Sequence, residues 1–509
     1  MPNFVTAREA VDCIRDNDFV WSNAFLALAN PIELQSAIGE RVRETGKPGN
    51  LTFCCTAGFG DWKEGSPNEE FIRLGAVKSV VLGHYSSTAE TARMVLRGEI
   101  EGYNLPLGVM SKMVRAAASG EQYFITDIGR NLFVDPVYGG YRLNERSKEE
   151  YVKEIVIDGK RRLQYRIPPM HVALIKGSSA DEEGNVSFEK EATVSDALSL
   201  AQAVKCRGGT VIVQVEQILK DHQRPWNVVV PAPLIDCIVV CPGQTQIAGA
   251  TGYNSAFAGD EFYGADPMRD LVLRVEASKP PQDLARSLIA KRAVQELKPG
   301  HTVNIGIGMP ESVAVEAARN GLLQSVSLTV ESGAMKGVPA SGAAFGAAIG
   351  AHSICSMAQQ FDFYDGGGLD ICFIGALEID GEGNVNGHLN EKKLSGIGGF
   401  ANITQSTPKV VFCATFSSGG LKAEMANGRL QIGQEGKFPK FVEAVKSISF
   451  SAKNALENKQ EVLYVTERCV FRLGREGLEL TEVQPGIDIQ RDILDLLPFP
   501  VRVAEGLRR

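Results

Sequence analysis

Leu328-Thr329-Val330-Glu331-Ser332-Gly333 reads as a short apolar strand that ends in one carboxylate and runs into a glycine-containing turn. A carboxylate at the end of an interior strand is desolvated, and it keeps its charge only where donors or a substrate compensate it. Ser332, Gly333, Ala334 and Gly337 leave its front open, as an attacking oxygen requires. Two roles fit these residues: a nucleophile, or a strand-end carboxylate that accepts hydrogen bonds from the following turn.

Glycine turns surround this carboxylate in the sequence. Asn304-Ile305-Gly306-Ile307-Gly308-Met309-Pro310 is a strand-to-helix turn of the kind that brings main-chain N–H groups close to an anion. Asp365-Gly366-Gly367-Gly368-Leu369-Asp370 and Gly396-Ile397-Gly398-Gly399-Phe400 are further turns. One such turn is only a turn, but several in the same half as a lone Glu suggest an oxyanion site built from main chain.

Other chemistries lack their residues. The six histidines are dispersed, with no HExxH and no i,i+4 pair, so no metal site is expected. There is no G-x-S-x-G elbow, no Walker A sequence and no G-x-G-x-x-G after the first strand, which leaves serine hydrolysis, nucleotide hydrolysis and dinucleotide redox without support.

Positioning such a site takes a large scaffold. With 509 residues the chain exceeds what one core usually supports, and two large domains are expected. Fifty-three basic against sixty-one acidic residues, net −8, argue against nucleic-acid or anionic-membrane partners. Ten scattered cysteines read as a reducing compartment, and the N-terminus has no apolar segment of a leader. No run approaches the roughly eighteen apolar residues of a membrane span, so a cytoplasmic protein is expected.

Strands rich in Val, Ile and Leu alternate with amphipathic stretches throughout, the pattern of α/β layers around largely parallel sheets. The break is expected at Ala277-Ser278-Lys279-Pro280-Pro281, giving domains 1–276 and 282–509. The two sides repeat each other in three places. Asp18 to Trp21 followed by Asn30-Pro31 matches His301 to Asn304 followed by Met309-Pro310, each a strand, a tight turn and a Pro at the first helical position. Leu51 to Gly58 matches Ser327 to Gly333 and sets Thr56 against Glu331. Val172 to Val186 matches Ile371 to Val385, both ending in an acidic Gly-Asn turn. A structural strand-end cap should appear in both copies, whereas a nucleophile is needed once.

Glu331-Ser332-Gly333, Val338-Pro339-Ala340-Ser341-Gly342, the string Gln360 to Asp370, Gly398-Gly399-Phe400 and Ser418-Gly419-Gly420-Leu421-Lys422 together resemble family I coenzyme A transferases. The likeness is to the single-chain acetate or propionate CoA-transferases, with fused α-like and β-like halves. It extends through Asn104-Leu105-Pro106 and Phe133-Val134-Asp135-Pro136 and ends in Pro485-Gly486-Ile487-Asp488. The resemblance implies two related open, mostly parallel-sheet domains, with the active site at their interface. It implies CoA transfer between an acyl-CoA and a free carboxylic acid by a ping-pong route, through a glutamyl-CoA thioester on Glu331. Gly398 and Gly399 match the loop near the acyl oxygen, and Asn304 matches a position on the CoA side. No permanently bound cofactor is implied, since CoA is carried covalently as substrate, and a homo-oligomer is implied.

Three departures qualify the resemblance. The family commonly has a glycine-rich loop after the first strand, where this chain has Asn23-Ala24-Phe25-Leu26-Ala27-Leu28-Ala29-Asn30; Leu107 replaces a Gln after Leu-Pro; and Met335-Lys336-Gly337 replaces a more glycine-rich step. An amide exchanged for Leu gives a bulkier, more apolar acyl pocket or altered chemistry. A thioester or ring-cleaving hydrolase on the same scaffold, and a non-catalytic acyl-CoA binding protein, are the alternatives to transfer.

Overall fold

The computed structural model describes every residue except 251, 262, 278–282, 391–392 and 508–509. The first half builds one sheet from β1 (Asn3–Val5), β2 (Phe19–Ser22), β3 (Leu51–Cys55), β4 (Val77–Leu82), β5 (Glu101–Asn104), β6 (Val172–Lys176), β7 (Thr210–Val215) and β8 (Cys237–Val240). Their order is β1-β8-β7-β6-β2-β3-β4-β5, and every neighbouring pair is parallel.

The second half repeats this plan with β9 (Thr302–Ile305), β10 (Ser327–Thr329), β11 (Ala334–Met335), β12 (Ser353–Ile354), β13 (Ile371–Gly375), β14 (Lys409–Cys413), β15 (Glu461–Val465), β16 (Cys469–Gly474), β17 (Gly477–Val483) and β18 (Arg502–Val503). The order is β12-β11-β10-β9-β13-β14-β15-β16-β17-β18. Its central strands β15-β14-β13-β9-β10 are parallel and follow one another as β8-β7-β6-β2-β3 do in the first sheet. Antiparallel neighbours flank them on both sides.

The duplication reaches individual hydrogen bonds. Asn185 donates its backbone N–H to Asp181 Oδ1 at 2.8 Å, with Gly184 at φ +93°. Asn384 donates to Asp380 Oδ1 at 2.9 Å, with Gly383 at φ +94°. Both turns need a residue at positive φ, which glycine supplies without steric cost.

The helices that matter for the site are α1 (Ile32–Thr45), α2 (Leu107–Ala118), α3 (Ala265–Ala277), α4 (Glu311–Arg319), α5 (Met357–Asp365) and α6 (Phe400–Ser406). Pro31 and Pro310 are the N-caps of α1 and α4, one position before the first helical residue where the sequence pattern predicts them. At α5, Ser356 and Gln359 form a capping box, satisfying two of the N–H groups a helix start leaves open. Residues 278–281 of the expected domain break, and 282 where the second domain is expected to begin, lie outside the described residues. Met268 and Val272 of α3, on the N-terminal side of that break, pack in one cluster with Val313 and Val315 of α4.

The domains meet through α2 and α5. Gly108 is needed there, because a Cβ would sit 2.4 Å from Phe361 Cδ1. Beside it Lys112 Nζ donates to Asp365 Oδ2 at 2.5 Å, Asn402 Nδ2 donates to the same oxygen at 3.0 Å, and Arg115 pairs with Asp362. Asp362 and Asp365 of the Gln360 to Asp370 string thus join the domains, while Asp370 accepts from Thr302 N–H at 2.7 Å within the second.

Candidate active site

Glu331 lies two residues beyond β10, on the wall of a cavity of about 490 Å³ lined from both domains. The turn after it tolerates nothing larger than glycine at 333: φ is +117°, and a Cβ would fall 1.9 Å from the Cys355 carbonyl oxygen. Ser332 donates its hydroxyl to the Gly346 carbonyl, and Thr193 of the first domain donates to the Ser332 carbonyl at 2.7 Å. Both domains therefore hold the turn that follows Glu331.

The Glu331 side chain is half-buried and lines the cavity. Burial raises its carboxyl from 4.5 to about 7, and its own backbone N–H offsets part of the rise. A carboxyl poised near neutrality can exist as a nucleophilic carboxylate at little cost.

The loop Gly396 to Gly399 crosses onto the first domain. Gly398 donates its N–H to Gly83 O at 2.8 Å, and Leu107 donates to Gly398 O at 2.9 Å. Asn104 ties the same region together: its Oδ1 accepts from Ile397 N–H at 2.9 Å, and its Nδ2 donates to Leu82 O and Gly83 O at 2.8 and 2.9 Å. Gly399 follows with φ −78°, its N–H without an acceptor among the described residues. A Cβ on Gly399 would lie 2.9 Å from Glu331 Cγ.

Glu331, Gly398 and Gly399 share one wall; Asn304 is elsewhere. It is 1% exposed on β9, beside β10, with Nδ2 at 3.4 Å from both Thr329 O and Tyr364 Oη. Tyr364 in turn donates to Thr329 Oγ1 at 2.9 Å. Burial, and then the nearby Glu331 charge, push the Tyr364 phenol up, so it stays a neutral donor.

At one end the cavity is apolar, lined by Phe25, Leu26, Ala57, Leu107 and Phe345. Leu26 has φ +55° and Ala29 φ +47°, although neither is glycine. A left-handed backbone costs a side-chain-bearing residue about 1–2 kcal/mol. The loop is held there by Leu26 N–H to Gly58 O at 2.8 Å, Ala248 N–H to Ala27 O at 2.8 Å and a reciprocal pair between Phe25 and Leu28, both 2.9 Å. Elsewhere on the wall stand Lys393, Lys440 and Ser418. Among the described residues no group of three or more His, Cys, Asp or Glu could hold a metal ion, and no helix is long and apolar enough to cross a membrane.

The coenzyme A transferase family model matches residues 6–241 and 287–491. The chain is 36% identical to the acetate CoA-transferase YdiF of Escherichia coli K12 over 506 residues, 99% of this chain and 93% of that one. It belongs to the coenzyme A transferase family. It is also 36% identical to the caffeate CoA-transferase of Acetobacterium woodii over 520 residues, 100% of this chain and 96% of that one. The crystal structure of YdiF from Escherichia coli O157:H7 superposes with a TM-score of 0.90 at 34% identity, covering 99% of this chain and 94% of that one. A YdiF thioester complex with CoA superposes with a TM-score of 0.89. The transferase therefore exchanges CoA between an acyl-CoA and a carboxylic acid, on the two-domain fold the resemblance implies.

Sequence reasoning missed three contributors to this candidate site. Asn104 appeared only inside a family motif, and its clamp joins segments almost three hundred residues apart. His84 counted as one dispersed histidine, yet it lines the cavity, and its Nδ1 accepts from Ser86 N–H at 3.3 Å. Burial, then the Lys393 charge, lower His84 to about 4, so its ring is neutral. Leu26 gave no sign of its left-handed backbone.

Proposed function

We propose that Glu331 is the nucleophile through which the transferase moves CoA, and that the Gly399 N–H stabilises the oxyanions formed in front of it. The observation that carries this reading is that a desolvated carboxylate and an unengaged main-chain donor sit side by side in a cavity lined by both domains. One Glu331 oxygen attacks the thioester carbonyl, and the tetrahedral oxyanion collapses to a mixed anhydride with release of CoA thiolate. The thiolate then attacks the glutamyl carbonyl, leaving CoA on Glu331 and freeing the first acid as its carboxylate. A second carboxylate runs both steps backwards. No proton has to be supplied, because every leaving group departs as a stable anion. Two oxyanions form on the way, and each needs a donor already in place.

In this reading Gly398 supports the loop through Gly83, and Asn304 is a positioning residue acting through Thr329 and Tyr364. The acid partner is a monocarboxylate with an apolar body, matching the Phe25, Leu107 and Phe345 end of the cavity. Acetate, in the name of one of two equally similar relatives, is a small member of that class, and caffeate, in the name of the other, is a much bulkier acid. The domain limits 1–276 and 282–509, with α3 docked across onto α4, belong to the same proposal. So does a cytoplasmic homo-oligomer, whose ten free cysteines suit a reducing compartment.

Initial rates measured against acyl-CoA at several acid concentrations test the mechanism. Parallel double-reciprocal lines are expected for a covalent CoA-enzyme. Intersecting lines would require both substrates to bind together and would remove the glutamyl intermediate.

A further inference from the structure

We propose that Leu26 limits the size of the acyl group, restricting the enzyme to short aliphatic acids of about two to four carbons, an inference that rests on the Glu331 reading above. Leu26 is 2% exposed and lines the cavity with Leu107 and Phe345. That end adjoins the nucleophile on two sides. Leu107 donates its N–H to Gly398 O at 2.9 Å, directly before the glycine whose Cβ would touch Glu331. Phe345 precedes Gly346, whose carbonyl accepts the Ser332 hydroxyl. An acyl group bonded to Glu331 has this apolar end beside it, while Lys393, Lys440 and Ser418 offer the polar surroundings suited to a phosphorylated carrier.

Three features make Leu26 the limiting residue. Its φ of +55° is a conformation favoured by glycine, so the sequence bears strain to keep an isobutyl group there. The strained loop is rigidly held: Asn23 Oδ1 accepts from Asp196 N–H at 2.9 Å, Asn30 Oδ1 accepts from Gln35 Nε2 at 2.9 Å, and Leu26 itself bonds Gly58 O. The loop has no slack behind it, because a Cβ on Gly58 would already lie 3.3 Å from Leu26 Cδ2 and one on Gly346 would lie 2.5 Å from Phe25. A larger acyl group cannot push Leu26 aside without moving backbone that is bonded on both flanks.

The test compares acids in competition. Wild-type enzyme, Leu26→Gly, Leu26→Ala and Leu26→Phe are charged with CoA from acetyl-CoA, and kcat/KM is measured for acetate, butyrate and cinnamate. Wild type is expected to prefer the short acids. Leu26→Gly keeps the backbone in a conformation glycine adopts freely, and it should raise the cinnamate-to-acetate ratio about tenfold or more; Leu26→Ala should move it the same way. Leu26→Phe should lower the butyrate-to-acetate ratio, which keeps the test decisive if a smaller residue harms folding. CoA loading on Glu331 is followed by mass spectrometry in each case. Normal loading with unmoved ratios, or a wild type that uses cinnamate as well as acetate, would overturn the size limit and leave the glutamyl mechanism standing. Failure of the wild type to load CoA would overturn the mechanism and this inference with it.

Discussion

A Cβ on Gly399 would stand 2.9 Å from Glu331 Cγ and 3.2 Å from Glu331 Oε1. The glycine is therefore in contact with the carboxylate it faces, and its φ of −78° is one that alanine adopts without strain. Gly399→Ala should fold with an unchanged melting temperature, keep its N–H and still displace the carboxylate by tenths of an ångström. A misplacement of about 1 Å can cost about 10²-fold where alignment controls the rate, so this smaller displacement should lower turnover by about tenfold. Activity within a few-fold of wild type would show that the two residues do not act together.

The pH dependence follows from the burial of Glu331. Only the carboxylate attacks, and its carboxyl is raised to about 7, so the rate of CoA loading from acyl-CoA should climb with pH through that value and level above it. Single-turnover rates between pH 5 and 9 check this. An inflection at the ordinary 4.5 would mean the carboxyl is not desolvated.

The same shift has a consequence for stability. A carboxyl raised in the folded state binds its proton more tightly there than in the unfolded chain. Stability is therefore lost as pH rises from 4.5 to about 7, and the lost amount persists above 7. Glu331→Gln should flatten this dependence and stabilise the protein at pH 8 by about 1–2 kcal/mol, less than the full shift because water reaches the cavity side of the group. Denaturant titrations of both proteins at pH 5 and 8 measure it, and equal slopes against pH would refute it.

At the domain junction, Lys112 and Asp365 have side chains only 9% and 14% exposed. Burial raises the Asp365 carboxyl, and Lys112 is the first influence that opposes the rise. Lys112→Met should destabilise by about 3–5 kcal/mol, because it leaves a buried carboxylate with Asn402 as its remaining close donor. Adding Asp365→Asn should recover part of that loss. No recovery in the double variant would show that lost packing, not the stranded charge, sets the cost.

How much of this was legible follows from what each residue must do. The repeated strands could be read because a buried parallel strand needs an apolar run, and a run survives duplication. Glu331 stood out because one copy of the repeat carries a carboxylate where the other carries Thr56. The division of labour between Gly398 and Gly399 could not, since it depends on which N–H already has an acceptor in the other domain. Asn304 carried a family role, but the side chain lies within the sheet beside Tyr364, a contact fixed by strand order. Leu26 was hidden for a different reason: its left-handed φ sits in a loop held by its own bond to Gly58 O, by Ala248 on Ala27 and by the Phe25–Leu28 pair, against its own preference. The glycine-poor loop showed a departure without showing that the backbone had stayed in a glycine conformation.

The most direct test of the central claim is intact-protein mass spectrometry after mixing the enzyme with acetyl-CoA, followed by peptide mapping. A CoA adduct on the peptide containing Glu331 is expected. It should be absent in Glu331→Gln and discharged by added carboxylate to give a new acyl-CoA. An adduct on any other residue, or transfer to acid that persists in Glu331→Gln at more than about a thousandth of the wild-type rate, would contradict the account.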